Sequence, residues 1–196
     1  IEPNVGVVIV PDKRLDFLVE LYNPKSIVPT SFEFIDIAGL VKGASLGEGL
    51  GNKFLSHIRD VDQIVEVVRC FDDENITHVE GKTDPIRDIE IINTELILAD
   101  YEIVENRISK IEKKATTTKD KEALKELNVL NICKENLEKN IPLRNIEFTV
   151  EDLDILKNFN FITLKKVIYV SNVSEEDIDN IKKIMRDKVS KEIPFV

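Results

Sequence analysis

The chain has 196 residues, of which 42% are hydrophobic and 33% are charged, and its formal net charge is -10. This length is enough for one sizeable domain, or for one domain with a small insertion, with a core of its own. The acidic balance argues against broad, sequence-independent binding to phosphate backbones, and no apolar run is long enough to span a membrane. The cysteines, Cys70 and Cys133, form no CxxC motif or Cys/His cluster, so neither zinc nor a disulfide is expected, and each is predicted to be a small buried residue.

The first 85 residues alternate short apolar runs with glycine and proline, which is the texture of an α/β domain. Residues 7–10 (VVIV) predict a strand or extended segment. Residues 32–35 (FEFI) predict a second strand, and residues 64–68 (IVEVV) predict a third. The third run is β-branched and almost continuously apolar, as expected for a strand that is buried on both faces of a parallel sheet.

Residues from about 86 to 160 contain one proline and no glycine. Apolar residues recur there at the 3-4-3-4 spacing of an amphipathic helix with coiled-coil character. They are Ile89, Ile92, Leu96, Ala99 and Ile103. Residues 116–120 (TTTKD) interrupt the stripe and predict the tip of a helical hairpin, whose second helix continues through Leu137. We interpret the stripe as packing rather than as a ligand site, and the lysines around the tip as a solvated helix face.

Sheet character returns near the end of the chain. Residues 167–170 (VIYV) predict another buried strand, which ends at Ser171 and Asn172. A helix is predicted from Glu175 to about Lys191, with Ser174 as its N-cap. The whole pattern predicts an α/β fold with a mostly parallel sheet that is flanked by helices and interrupted by an antiparallel helical hairpin.

The second predicted strand leads directly into Asp36-Ile37-Ala38-Gly39. An apolar strand followed by D-x-x-G is the Walker B pattern of GTPase-like P-loop proteins. The strand would place Asp36 at the edge of the sheet where ligands bind, and its carboxylate can hold Mg²⁺ through a water molecule. Gly39 lets its backbone N–H approach a γ-phosphate closely. A four-residue pattern recurs by chance, and the alternative is an aspartate that begins a turn.

Five of the chain's seven glycines fall between residues 39 and 51. Ordering such a segment costs backbone entropy, and glycine-rich loops after D-x-x-G serve as nucleotide switches, which a γ-phosphate and Mg²⁺ order. The segment is not a Walker A loop, because G-x-x-x-x-G-K-[ST] requires a hydroxyl after the lysine and this chain has Phe54 there. No other segment of the sequence matches that motif.

These stretches together resemble the Obg-like ATPases of the YchF type, within the TRAFAC class of P-loop NTPases. Residues 1–6 (IEPNVG) are similar to the first switch of that family, and residues 36–55, which include DIAGLVKGA and GEGLGNKFL, to its second switch. Residues 84–95 (DPIRDIEIINTE) are similar to the start of the family's helical insertion. The resemblance covers nearly the whole chain.

The base-reading motif matches as well. Asn172-Val173-Ser174-Glu175 follows a predicted strand, where GTPases carry N-K-x-D with an aspartate that accepts hydrogen bonds from guanine. The family carries N-x-x-E and prefers ATP, since adenine lacks the pair of donors that the aspartate reads. The resemblance therefore implies an adenine site at Asn172, Val173, Ser174 and Glu175. The alternative is an asparagine turn that caps the following helix.

The residue after D-x-x-G is Leu40, whereas Ras-like enzymes carry a glutamine that orients the attacking water. The family shares this hydrophobic replacement, so hydrolysis is expected to use another group or to be slow without an activator. Gly39 and Leu40 are the implied catalytic positions. His57 is a candidate helper because it lies close to the second switch in sequence, and the alternative is a solvated or packing histidine.

The resemblance implies Mg²⁺-dependent hydrolysis of ATP in preference to GTP, by a cytoplasmic monomer that associates with the large ribosomal subunit and regulates translation or the stress response. It divides the nucleotide-binding domain into residues 1–85, with the switches and the Walker B element, and residues 161–196, with the base motif. Residues 86–160 form the helical insertion between them.

The resemblance also predicts parts that this sequence does not contain. A Walker A loop and a switch threonine are expected to precede Ile1, and a TGS domain is expected to follow Val196. This chain alone is therefore expected to be inactive. The alternative function is a non-enzymatic module, in which the hairpin docks a partner and the nucleotide site is vestigial.

Overall fold

The structure, a computed structural model, describes residues 4–37, 50–71, 83–117 and 120–175. The chain forms two compact units, Ile1–Gly39 and Leu40–Val196. In the described residues, each unit contains one two-stranded sheet. The three-part division that the sequence suggests, at about residues 85 and 160, stays a prediction.

In the first unit, residues 4–37 form two strands and a helix: β1 (Asn4–Ile9), α1 (Lys13–Tyr22) and β2 (Ser31–Asp36). The strands pair antiparallel, beginning with Asn4 opposite Asp36. Asp12 begins the helix, because its carboxylate accepts a hydrogen bond from the backbone N–H of Arg14 at 2.9 Å and so satisfies one of the unpaired donors of the first turn. Both strands predicted for this part of the sequence are present.

The second unit begins with α2 (Leu50–Arg59) and contains a parallel pair of strands, β3 (Ile64–Arg69) and β4 (Val167–Asn172). A parallel pair requires a long crossover, and the helical region of the chain supplies it. The predicted burial of β3 on both faces is wrong: Val68 is 3% exposed, but Val65 and Val67 are 41% and 65% exposed. Side chains alternate across a strand, and the described residues cover one face of this pair, where Ile89 packs against Val68.

The crossover contains the predicted hairpin, formed by α3 (Pro85–Thr117) and α4 (Lys121–Glu138). Asp120 begins α4, since its carboxylate accepts hydrogen bonds from the backbone N–H groups of Glu122 and Ala123 at 3.0 and 3.1 Å. The hairpin and the segment after it share one hydrophobic core. Its buried residues include Ile97, Val104, Ile111, Ala115, Leu127, Leu130, Cys133, Leu137, Leu143, Leu156 and Phe161.

Short helices connect the hairpin to β4. They are a 3-10 turn (Leu143–Asn145), α5 (Val150–Leu156) and a second 3-10 turn (Lys157–Phe159). Thr149 and Asp152 form a capping box at the start of α5, in which each side chain bonds the other residue's backbone N–H. Among the described residues, no helix combines the length and the low polarity that crossing a membrane requires. The helix predicted for 175–191 lies outside the described residues after its first position.

The two cysteines differ in environment, and both are free thiols. Cys133 is completely buried in the hairpin core, and burial raises the pKa of its thiol to about 12. Cys70, directly after β3, is half-buried; burial raises the pKa of its thiol, while a hydrogen bond with Ser171 lowers it. The prediction of a buried residue is confirmed for Cys133 and wrong for Cys70, which lies one residue beyond the end of β3.

Candidate functional site

Asp36 is the last residue of β2, at the end of the strand that enters the D-x-x-G sequence. Its side chain is exposed, so a hydrated cation can reach it. The described residues contain no group of three or more Asp, Glu, His or Cys side chains that could hold a metal ion. A lone exposed carboxylate fits Mg²⁺, which keeps several water ligands and binds proteins through one or two carboxylates plus phosphate oxygens. Gly39 and Leu40 lie outside the described residues.

The base motif lies at the carboxyl edge of the β3–β4 pair. Arg69 and Asn172 end the two strands and lie opposite each other. The ladder continues one residue further, because the backbone N–H of Cys70 donates to the carbonyl oxygen of Asn172 at 2.8 Å. The backbone of Asn172 is thereby fixed while its side chain remains exposed. This is the edge of a parallel pair at which ligands bind in α/β proteins.

The three residues after Asn172 continue from this edge. Glu175 is exposed, and Val173 and Ser174 are half-buried. The four residues of the predicted base site thus form one continuous stretch that begins at the last residue of β4, with the side chains of Asn172 and Glu175 exposed. An exposed asparagine amide and an exposed carboxylate can donate to and accept from the edge of a base.

Arg69 and Phe71 lie at the same edge and were missed by sequence reasoning. The guanidinium carbon of Arg69 lies 4.7 Å from the centroid of the Phe71 ring, and its Nε donates to the Phe71 carbonyl oxygen at 3.1 Å. The hydroxyl of Thr83 donates to the same oxygen at 3.3 Å. An aromatic ring and a cation beside Asn172 suit a planar, phosphorylated ligand. The available signal was their position directly after a predicted strand, at the end where ligands bind.

His57 lies in α2, near its carboxyl end, and is half-buried. Its backbone carbonyl oxygen accepts a hydrogen bond from the N–H of Asp60 at 3.3 Å. Its imidazole makes no hydrogen bond or ion pair with the parts of the chain that the structure describes. A catalytic role for His57 stays a prediction, beside the alternative of a packing residue.

A polar cluster surrounds Glu66, in the middle of β3. Burial raises the pKa of this carboxyl to about 7, with the charge of Arg144 lowering it and the charge of Asp88 raising it. Arg144 donates from Nη2 to Asn93, which in turn donates to the hydroxyl of Tyr169 at 3.4 Å. The other guanidinium nitrogen, Nη1, is buried without a partner among the described residues.

Glu66→Gln is expected to raise the free energy of unfolding at pH 8 by about 1–3 kcal/mol and to change it little at pH 5. The folded-state pKa of about 7 lies above the ordinary value of 4.5, so the folded protein binds this proton more tightly than the unfolded chain does. The stability that Glu66 contributes is therefore complete below about pH 4.5 and is lost as the pH rises through 7, whereas glutamine stays neutral.

Urea unfolding at pH 5, 6.5 and 8 measures this difference. Glu102→Gln removes an exposed carboxylate from α3 and serves as the matched control, with little change at any of the three pH values. An effect of Glu66→Gln that is the same at pH 5 and pH 8 would contradict the raised pKa.

Comparison with known proteins gives these positions a family context. The family described as 50S ribosome-binding GTPase matches residues 18–107. The ribosome-binding ATPase YchF of Bacillus subtilis (strain 168) is 57% identical over 190 residues, which are 94% of this chain and 52% of that protein. The protein of the same name from Escherichia coli O157:H7 is 50% identical over 180 residues, 92% of this chain and 49% of its own length. This chain belongs to the YchF family.

A solved YchF structure agrees with this assignment. The Schizosaccharomyces pombe YchF GTPase superposes with a TM-score of 0.78 at 40% identity, over 100% of this chain and 55% of that one. The α/β fold class predicted from the sequence is confirmed. The chain spans about half the length of its YchF relatives. The bacterial relatives are named ATPases and the fission-yeast protein is described as a GTPase, so the relatives' names differ in the nucleotide.

Proposed function

We propose that this chain is part of the nucleotide-binding domain of an enzyme that hydrolyses ATP with Mg²⁺, and that prefers ATP to GTP. The observation that carries the proposal is the N-x-x-E sequence of residues 172–175 in a YchF-family chain, with Asn172 and Glu175 exposed at the carboxyl edge of a parallel strand pair. Ligands of α/β proteins bind at this edge, and N-x-x-E stands where GTPases carry their guanine-reading motif.

The proposed chemistry rests on positioning and charge stabilisation rather than on a covalent intermediate. Asp36, at the end of β2, would hold Mg²⁺ through a water molecule, and the ion would supply positive charge to the phosphates. The backbone N–H of Gly39 contacts the γ-phosphate. Leu40 carries no polar atom with which to orient water, so hydrolysis is slow without an activator, and His57 is the candidate helper.

Base preference is assigned to Glu175. The aspartate of N-K-x-D accepts two hydrogen bonds from guanine, N1–H and the 2-amino group, and adenine has neither donor. Glutamate is one methylene longer, so its carboxylate cannot occupy the same place relative to the base. Asn172, with a fixed backbone and an exposed amide, contacts the base edge, and Val173 and Ser174 lie between them.

Glu175→Asp is expected to shift the ratio of the ATP and GTP dissociation constants toward GTP by about tenfold, the value of one good hydrogen bond. Competition binding in the full-length protein with Mg²⁺ measures the ratio. Glu151→Asp makes the same shortening in α5 and is expected to leave the ratio unchanged. A ratio that is identical in wild type and Glu175→Asp would remove Glu175 from the base site.

We propose further that the full-length protein binds the large ribosomal subunit in the cytoplasm as a monomer, with the hairpin as its contact arm. The bacterial relatives are named ribosome-binding ATPases, and the matching family is described as 50S ribosome-binding. Lys110, Lys113 and Lys121 near the hairpin tip are exposed and have no ion pair within the described residues, so they are available to phosphates. Co-sedimentation with purified large subunits over a range of salt concentrations tests this.

A further inference from the structure

The side chain of Arg59, the last residue of α2, is held by three acceptors. Its Nη1 donates to the carboxylate of Asp100 at 3.0 Å and to the carbonyl oxygen of Asn160 at 3.1 Å. Its Nη2 donates to the carbonyl oxygen of Ala99 at 3.3 Å. Asp100 and Ala99 belong to α3, whereas Asn160 belongs to the segment that leads into β4. One guanidinium therefore joins α2 both to the hairpin and to the segment that leads into β4.

The backbone at the end of α2 is held by the same segment. The side-chain amide of Asn160 donates to the carbonyl oxygen of Arg59 at 2.7 Å. The ammonium of Lys165 donates to that oxygen at 2.8 Å and also to the carbonyl oxygen of Val61. Carbonyl groups at a helix C-terminus lack partners within the helix and carry partial negative charge, so an ammonium group stabilises them. The end of α2 is thus fixed through its side chain and its main chain.

Asp100 also bonds to Ile162 and Thr163, in the segment that leads into β4. It is completely buried near the middle of α3, and its second oxygen accepts hydrogen bonds from the backbone N–H and the hydroxyl of Thr163 at 2.7 and 2.8 Å. The oxygen that faces Arg59 also accepts from the N–H of Ile162 at 3.1 Å. Burial raises the pKa of this carboxyl, while the donors and Arg59 act in the opposite direction.

This arrangement differs from ordinary packing between two helices. Apolar contacts hold two helices together across a range of angles, whereas a forked guanidinium with directional hydrogen bonds requires one orientation. A buried carboxylate is tolerated only while its partners are in place. A movement of α2 away from this orientation would therefore break the hydrogen bonds of Arg59 rather than adjust them.

We propose that Arg59 and Asp100 form a coupling node, a pair of positioning residues that transmits movement of α2 to the helical hairpin and to β4. The inference rests on the proposed function, because the glycine-rich sequence that begins at residue 39 continues into α2 and a bound γ-phosphate acts on such segments. A nucleotide that moves α2 then changes the hairpin through this node. By linkage, a partner bound to the hairpin changes nucleotide affinity by the same factor.

Hydrogen exchange in the full-length protein tests the node, with and without Mg²⁺ and a non-hydrolysable ATP analogue. Peptides that cover residues 95–104 and 160–165 report on Asp100 and its partners. In wild type, the analogue is expected to change their exchange rates; in Arg59→Gln, this change is expected to fall at least about fivefold while the analogue still binds.

Arg107→Gln is the matched control. Arg107 donates from Nε to Glu126 at 2.6 Å and so joins α3 to α4 within the hairpin, without a contact to α2. The nucleotide-dependent change in exchange is expected to survive this substitution. If Arg59→Gln does not fold, the double variant Arg59→Gln/Asp100→Asn removes both charges, leaves none unpaired in the interior, and is expected to show the same loss of response.

The outcomes separate the node from the proposed function, because binding of the analogue is measured on the same samples. Bound analogue with an unchanged response in the Arg59 variants overturns the node. Bound analogue with no response in wild type also overturns it. Failure of the wild-type protein to bind the analogue overturns the proposed function, and the coupling node falls with it.

Discussion

Asp100→Ala is expected to lower the free energy of unfolding by about 3–5 kcal/mol, the effect of breaking a buried ion pair from one side. The substitution leaves the guanidinium of Arg59 without its carboxylate and removes the acceptor for the N–H groups of Ile162 and Thr163. Buried donors without acceptors add to the loss. Urea unfolding at pH 7, followed by circular dichroism of the helical hairpin, measures the change.

The matched control for this prediction is Asp154→Ala. Asp154 is also paired with a cation, Lys157, at 2.6 Å, but both side chains are largely exposed. Exposed ion pairs contribute little to stability, so the control is expected to unfold close to the wild-type midpoint. Similar losses of unfolding free energy in the two variants would show that the Arg59–Asp100 contact stabilises the fold no more than an exposed ion pair does.

Asp36→Asn in the full-length protein is expected to lower kcat for ATP hydrolysis by about 100-fold to 1000-fold, because the amide lacks the charge that anchors hydrated Mg²⁺. The Mg²⁺ concentration that gives half-maximal activity is expected to rise as well, which a purely structural role would not produce. Steady-state hydrolysis over a series of Mg²⁺ concentrations measures both values.

Asp16→Asn is the matched control for Asp36, since it removes an exposed aspartate from α1 in the same unit. It is expected to leave kcat and the Mg²⁺ dependence unchanged. If Asp36→Asn retains kcat within about threefold of wild type, the lost free energy is smaller than that of a typical hydrogen bond, and Asp36 is not the magnesium anchor.

Much of the fold could be predicted from local patterns. The apolar runs at residues 32–35, 64–68 and 167–170 form strands, each extended by one or two residues, because β-branched and aromatic residues suit extended backbone. The hairpin could be predicted because the apolar stripe stops near residue 116 and Asp120 is a strong N-cap. The predicted start of its tip was wrong, since Thr116 and Thr117 still belong to α3.

The predictions that failed concern burial, which depends on partners that are distant in sequence. An apolar run such as that of β3 predicts a strand, yet only the elements packed beside it decide which faces are covered. Val65 and Val67 are exposed because the described residues cover one face of the pair only. Cys70 is half-buried for a related reason, since it lies just beyond the end of the packed strand.

Some residues of the candidate site could likewise be predicted from sequence motifs, and others become apparent only in the folded structure. Asp36 and Asn172 could be found from sequence, since each ends a strand in a motif of fixed spacing. The Arg59–Asp100 contact could not, because its residues lie 41 positions apart and neither belongs to a motif. Folding alone brings them together, where the side chain at the end of α2 reaches α3. Arg69 and Phe71 likewise acquire significance only once β3 and β4 are seen to pair in parallel.

Nucleotide binding, measured by titration calorimetry with Mg²⁺, tests the proposed function most directly. ATP and GTP are titrated in turn into the full-length protein and into residues 1–196 alone. The prediction is that the full-length protein binds ATP more tightly than GTP and that residues 1–196 bind neither. A full-length protein that binds neither nucleotide would contradict the proposed function, make the site at residues 172–175 vestigial, and leave the helical hairpin as the functional part of the chain.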